Sequence, residues 1–143
     1  VRRSLTLSAG AVRSDGPVAS AAREIVLTAG EGGHFRSQGQ INGKAVNFMV
    51  DTGATSVAIS QTEADRIGLD YKRGTRGFAS TANGRVPVTV LTLSSVRLGD
   101  VEVANVEAIV MPASMDFVLL GNSFLSRFQM KRENDVLVLD KRL

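Results

Sequence analysis

The chain contains no cysteine, which excludes disulfide bridges, thiol nucleophiles and cysteine-ligated zinc. It has no tryptophan, one tyrosine and a single histidine, His34. His34 belongs to no recognisable Ser-His-Asp pattern, and one histidine cannot build a multi-histidine metal site, so it reads as a polar residue at a strand start. No apolar run approaches the ~18–20 residues that a helical membrane span needs. Also missing is a basic stripe interleaved with aromatics, the electrostatic footprint of a nucleic-acid surface. The formal net charge of +3 is concentrated at the start, where residues 1–24 hold four arginines against two acids. The rest is close to balanced, 13 basic residues against 12 acidic. Its two basic blocks, Lys72-Arg73-Gly74-Thr75-Arg76 and Lys131-Arg132, read as solvated loop charge.

What is present suits one folded domain. At 143 residues and 43% hydrophobic, with only six Phe, the core must come from Val, Leu, Ile and Ala. Fourteen glycines against three prolines point to many tight turns. Residues 1–24, rich in Ala, Ser, Gly and Arg without a sustained period, read as a linker or poorly ordered arm ahead of a domain over 25–143.

Within that domain the pattern is mostly β. "EIVLTA" (24–29) reads as a first strand, broken by "GEGG". "HFRSQGQI" and "KAVNFMV" flank Asn42-Gly43, the dipeptide suited to a type I′ hairpin, with Val46, Phe48 and Val50 on one face. "SVAIS" is a short strand, and Ser60-Gln61-Thr62-Glu63 is a capping box opening a two-turn helix that ends near Gly68. A second Asn-Gly, Asn83-Gly84, predicts another hairpin tip in a glycine-rich stretch. "VPVTVLTL", "SSVRL" and "VEVANVEAIVM" read as strands, with a turn at Gly99-Asp100. The apolar phase shifts between Val103 and Val106, which predicts a bulge near Ala104-Asn105. "FVLLG" (117–121) is apolar on both faces, hence a doubly buried strand, and "NSFLSRF" holds one helical turn. "FQMKR" and "VLVLD" close the chain around Asn134-Asp135.

One stretch resists a purely structural reading. In "NFMVDTGATSVAIS" (47–60) an apolar strand runs into Asp51-Thr52-Gly53 and resumes as another apolar strand. A carboxylate at the end of a buried strand is costly without a partner. One reading is an Asx-type turn, with Asp51 bonding its own backbone and Gly53 supplying positive φ. The other is chemical, and the wider pattern supports it.

"NG", "FMVDTGATSVAIS", "TANG", "GD" and "VLLGNSFL", in this order over residues 33–141, resemble the retropepsin-like aspartic proteases, in particular the bacterial clan AA family with a single Asp-Thr-Gly motif. The resemblance implies a retropepsin-like acid protease fold: a closed, β-barrel-like domain with one or two short helices and a flap hairpin. It implies an endopeptidase that needs no metal and no cofactor and acts on a protein or peptide substrate. Two carboxylates would share one proton around a water, one activating the water and the other donating to the scissile carbonyl. Asp15, Asp65, Asp70, Asp100, Asp116, Asp135 and Asp140 all lack a following Thr-Gly. The second carboxylate must therefore be Asp51 of another copy, across a two-fold axis.

The resemblance also assigns roles. Asp51, Thr52 and Gly53 would form the catalytic motif, with Thr52 bonding across the axis and Gly53 presenting its amide to the carboxylates. Ala54 would line the cleft, and Phe78, Ala79, Ser80, Thr81, Ala82, Asn83 and Gly84 would form a flap over the substrate. Leu119, Leu120 and Gly121 would support the catalytic loop. The motif continues as Thr55-Ser56, where retroviral enzymes often carry acidic residues, which leaves the dimer contacts open. "VLVLD" (136–140) is either the edge strand that closes the dimer or an internal strand of the monomer. An upstream membrane anchor and a place in the bacterial cell envelope, periplasmic or at the inner membrane, are further expectations. Three rivals remain at this point: a phosphate-holding loop of the actin-like kind, a non-catalytic module that binds peptides or dimerises, and a structural domain with Asp51 as a turn residue.

Overall fold

The computed structural model describes residues 23–82 and 84–142, so the arm read over 1–24 lies almost wholly outside the described residues, as does Asn83. Ten strands carry most of the described residues: β1 (Glu24–Thr28), β2 (Arg36–Ile41), β3 (Lys44–Val50), β4 (Val57–Ser60), β5 (Thr75–Thr81), β6 (Gly84–Leu98), β7 (Val101–Met111), β8 (Val118–Leu120), β9 (Phe128–Glu133) and β10 (Val136–Lys141). The α-helices among the described residues are α1 (Gln61–Arg66) and α2 (Asn122–Leu125). Neither is long and apolar enough to cross a membrane.

Seven strands form one sheet in the order β2-β3-β8-β4-β7-β6-β5, and an additional pairing of β2 with β6 turns it into a ring. β5 stays outside the ring, bonded only to β6. The ring encloses Ile41, Val46, Phe48, Val57, Ile59, Leu93, Val106, Val118 and Leu120, all at or below 4% exposed. Burying each such side chain contributes on the order of 1.5–3 kcal/mol, which makes this packing the main source of stability.

Local chemistry sets the turns. Asn42 and Gly43 both have positive φ, 50° and 84°, as a type I′ hairpin requires. The Ser60 hydroxyl accepts from the Glu63 amide at 3.1 Å, capping α1, and Gly68 at φ 74° follows the helix. The reciprocal half of the predicted capping box is replaced: the Glu63 carboxylate binds the Arg66 guanidinium at 2.7 and 2.8 Å. Arg66 also donates to the Ala45 carbonyl, tying α1 to β3.

One expectation is corrected and one open alternative is decided. The predicted bulge in β7 inserts no residue, since Leu93 pairs with Val106 and Ser95 with Ala104 in the same register, with the ladder interrupted only at Ser94 and Asn105. Instead both strands exchange their buried face together, near Asn105 at φ 56°. Arg127 holds this point with bonds to the Ala104 and Asn105 carbonyls at 3.2 and 2.8 Å. Second, of the two readings of residues 136–140, the internal strand is the one realised. β10 lies between β1 and β9 in a separate three-stranded sheet, because Leu137 and Leu139 are buried and both its edges are hydrogen-bonded. Among the described residues the outer edges of that sheet belong to β1 and β9.

The Glu63–Arg66 pair has a testable pH signature. The hydrogen bond from Arg66 holds the Glu63 carboxyl below its ordinary value, against a smaller desolvation effect. Its stabilisation is therefore present above the unfolded carboxylate's pKa and is lost as pH falls through the lower folded value. Thermal melts of Glu63→Gln should show a lower Tm than the native chain at pH 7, with the gap closing below about pH 4.

Candidate active site

The site is built where β3 ends and β4 begins. β8 runs between them, parallel to β3 with Met49 opposite Leu119, and antiparallel to β4 with Ala58 opposite Leu119. The Asp51 amide donates to the Leu120 carbonyl at 3.1 Å, so the strand pairing extends one residue into the loop. The chain then turns, with the Ala54 amide donating to the Asp51 carbonyl at 3.1 Å.

Asp51 is half-buried, and its Oδ1 accepts from the Gly53 amide at 2.9 Å. This is the bond that an Asx turn makes, and equally the one that would hold a reactive carboxylate in place. Gly53 is not in the positive-φ region, so conformational freedom is not what it supplies. A Cβ at that position would lie 3.3 Å from Oδ1, tight against the carboxylate. Thr52 is exposed, and its hydroxyl has no protein partner among the described residues. Ala54 is half-buried.

Beneath the loop lies a set of bonds that the sequence reading did not anticipate beyond Gly121. At the start of α2 the Asn122 amide donates to the Ala54 carbonyl at 2.8 Å, and the Ser123 amide to the Thr55 carbonyl at 2.9 Å. The Asn122 side chain donates to the Thr52 carbonyl at 3.0 Å. The Ser123 hydroxyl accepts from the Val57 amide at 3.0 Å and donates to the Glu107 carbonyl at 2.7 Å. The buried Ser56 hydroxyl donates to the Glu107 carboxylate at 3.1 Å. Asn122, Ser123 and Glu107 were thus missed. The available signal was two polar residues directly after an apolar strand and its glycine, at the first turn of a helix.

Gly121 lets this set close. A Cβ there would lie 2.2 Å from the Ser56 carbonyl oxygen and 2.8 Å from that of Ala54. Leu120 is wholly buried, whereas Leu119 is half-buried.

The predicted flap residues are placed on the β5–β6 hairpin, joined to the body through β6. Strand alternation divides them: Ala79 and Thr81 are half-buried, while Phe78 and Ser80 point to the exposed side. Phe78 is 65% exposed, and the Arg85 guanidinium lies 4.5 Å from its ring centroid, a cation–π contact on the outer face. The Thr81 hydroxyl donates to the Gly84 carbonyl at 2.8 Å, bracing the tip that includes Ala82. Among the described residues no cluster of three or more His, Asp or Glu side chains could hold a metal ion.

This arrangement can be compared with known proteins. The family described as "gag-polyprotein putative aspartyl protease" matches residues 37–127. A crystal structure of a retropepsin-like aspartic protease from Rickettsia conorii superposes with a TM-score of 0.72 at 33% identity, covering 82% of this chain and 90% of that one. The chain belongs to the retropepsin-like aspartic protease family. An uncharacterized protein of Rickettsia prowazekii is 35% identical over 120 residues, 82% of this chain and 51% of that protein. An uncharacterized protein from the cobV 5′ region of Sinorhizobium sp. is 35% identical over 112 residues, 76% of this chain and 47% of that protein. The chain thus spans about half the length of these curated relatives. An EIAV protease complexed with the inhibitor HBY-793 shares the fold at a TM-score of 0.52 and 18% identity, covering 64% of this chain and 84% of that one.

The close packing under the loop makes a strong prediction for this retropepsin-like chain. Gly121→Ala should cost about 3 kcal/mol or more, because backbone rather than a flexible side chain must move. A denaturant titration would show it, and an unchanged midpoint would mean that the loop yields freely.

Proposed function

We propose that this chain is an aspartic endopeptidase that works as a homodimer, with Asp51 of each copy supplying one carboxylate of the catalytic pair. The observation that carries the reading is a single half-exposed carboxylate on a rigidly braced loop. Its Oδ1 is held by the Gly53 amide, and it has no second acidic motif within reach of the same loop in sequence. A lone carboxylate cannot both take a proton from water and donate one to the carbonyl. Two of them close together hold one proton between them and do both.

In the proposed cycle the ionised member of the pair takes a proton from a bound water as the water attacks the scissile carbonyl. The neutral member donates its proton to the carbonyl oxygen. Collapse of the resulting tetrahedral species transfers a proton to the departing amine and restores the shared proton. The Gly53 amides hold the carboxylates throughout, and the free Thr52 hydroxyls suit a bond to the opposite loop across the two-fold axis. The β5–β6 hairpin would close over the peptide and exclude water. Dimer contacts are supported by the outer edges of the three-stranded sheet, unpaired among the described residues, beside which Val26 and Met130 are exposed at 55% and 43%.

Asp51→Asn should abolish cleavage of an unfolded protein while leaving Tm and the dimer unchanged; turnover equal to the native chain's would end the proposal. Because the pair must keep one proton, activity should peak at mildly acidic pH and fall as the second carboxylate ionises. A flat profile between pH 4 and 9 would contradict a shared-proton mechanism.

A further inference from the structure

Outside the Asp51 loop the molecule carries a depression of about 640 Å³ on the outer face of the β2–β3 hairpin. Its floor holds Gln38, Gln40, Ala45 and Asn47, and the loop before β8 walls it with Phe117. A smaller hollow of about 230 Å³ continues it past Gln38, Asn47 and Phe117 to Arg36.

Strand register shows where this trough leads. Gln40 lies opposite Ala45, Gln38 opposite Asn47, and Arg36 opposite Met49. Met49 in turn lies beside Leu119. Residues two apart on a strand share a face, so Ala45, Asn47 and Met49 form one continuous row, and alternation carries that row on to Asp51. At ~3.4 Å per residue the distance from Ala45 to Asp51 is roughly 20 Å, the length of about six residues of extended peptide.

The chemistry of the trough selects its occupant. Arg66 is committed to Glu63 and to the Ala45 carbonyl, and Arg97 is offset by Asp116 on the same rim. The larger depression therefore carries no net charge to hold an anion, and Arg36, in the smaller hollow, is stacked over the Phe117 ring at 4.9 Å. What remains is a set of carboxamides, each with donors and an acceptor like those of a peptide unit. Gln38 and Gln40 stand two residues apart on one strand, a spacing of ~6.8 Å that matches the repeat of backbone groups along an extended chain. Ala45, the smallest side chain of the floor, leaves the space that a peptide side chain can enter against Phe117.

We propose that this trough is a distal substrate site, which binds the polypeptide some four to six residues from the scissile bond in extended form, through its backbone and one inserted side chain. The proposal rests on the peptidase reading above and adds to it a dependence on substrate length. It also makes Gln38, Gln40 and Ala45 determinants of affinity with no part in the chemical step.

The test compares β-casein, an unfolded polypeptide, with eight-residue peptides centred on the bonds cut in it. The variants are Ala45→Trp, which fills the trough from an exposed strand position, and the double change Gln38→Ala with Gln40→Ala, with Tm measured for each. Both should raise KM for β-casein about tenfold with kcat unchanged, and leave the short peptides unaffected. Equal effects on long and short substrates, or none on either, would overturn the site. A second arm is independent of turnover: fluorescein-labelled β-casein is bound to the Asp51→Asn chain with and without Ala45→Trp. About tenfold weaker binding with the tryptophan supports the trough even if the native chain cleaves nothing. Equal binding, or none at all, overturns it. Failure of the peptidase reading would appear separately, as native protein that cuts neither substrate.

Discussion

The contact on which this structure depends is the approach of Gly121 to the Ala54 and Ser56 carbonyls. β8 reaches the Asp51 loop edge-on, and only a residue without Cβ can pass there, at a distance where a methyl would meet the Ser56 oxygen. That passage brings the first turn of α2 against the loop. Amides at a helix start have no partners within the helix, and here those of Asn122 and Ser123 find theirs in the Ala54 and Thr55 carbonyls. Each end therefore solves the other's problem: the loop gains donors for its carbonyls, and the short helix gains acceptors for its amides. Such bonds are worth about 1 kcal/mol each when made, and leaving their groups buried and unpaired would cost more.

This reciprocity explains how an irregular loop can be rigid without a large core of its own. Thr52 and Gly53 are exposed and bury little. Order comes instead from backbone bonds to β8 and α2, and from the Ser123 hydroxyl, which spans the Val57 amide and the Glu107 carbonyl. Through Glu107 the brace reaches β7, which is in turn paired to β6 in one constant register along its length. The position of one carboxylate is thus tied to the longest hairpin of the domain.

The sequence exposed the parts of this arrangement that rest on local chemistry. Asn42-Gly43 declares its hairpin because few other dipeptides accept two positive φ values, and Ser60 declares its helix because an unpaired amide needs an acceptor. Asp51-Thr52-Gly53 and the following "LLG" strand were legible as a pair for their odd placement of an acid and a glycine among apolar residues. What stayed hidden depends on partners far along the chain. Glu63 has two options within one turn, its own helix start or Arg66, and tertiary contact of Arg66 with Ala45 favours the second. The phase shift at Asn105 has the same signature whether a residue is inserted or both strands exchange faces, because periodicity along one strand says nothing about its partner's register. β10 reads as a candidate edge until β1 is known to cover it, and "EIVLT" alone does not announce which strand it will join.

Strand parity gives the reason why an acid can follow an apolar strand at all. Val46 and Phe48 must face the core, since they are almost wholly buried there. The alternation then obliges Ala45, Asn47, Met49 and, one step on, Asp51 to face away from it. The carboxylate is half-exposed because the core fixes the opposite face, and a slip of one residue would bury Asp51 and expose Phe48 together. The same parity forbids the floor of the trough from being assembled independently of the Asp51 loop. Any substitution that preserves the packing of Val46 and Phe48 preserves the alignment of Asn47 with Asp51, so the outward side chains on this row are free to vary while their bearing on the carboxylate stays constant.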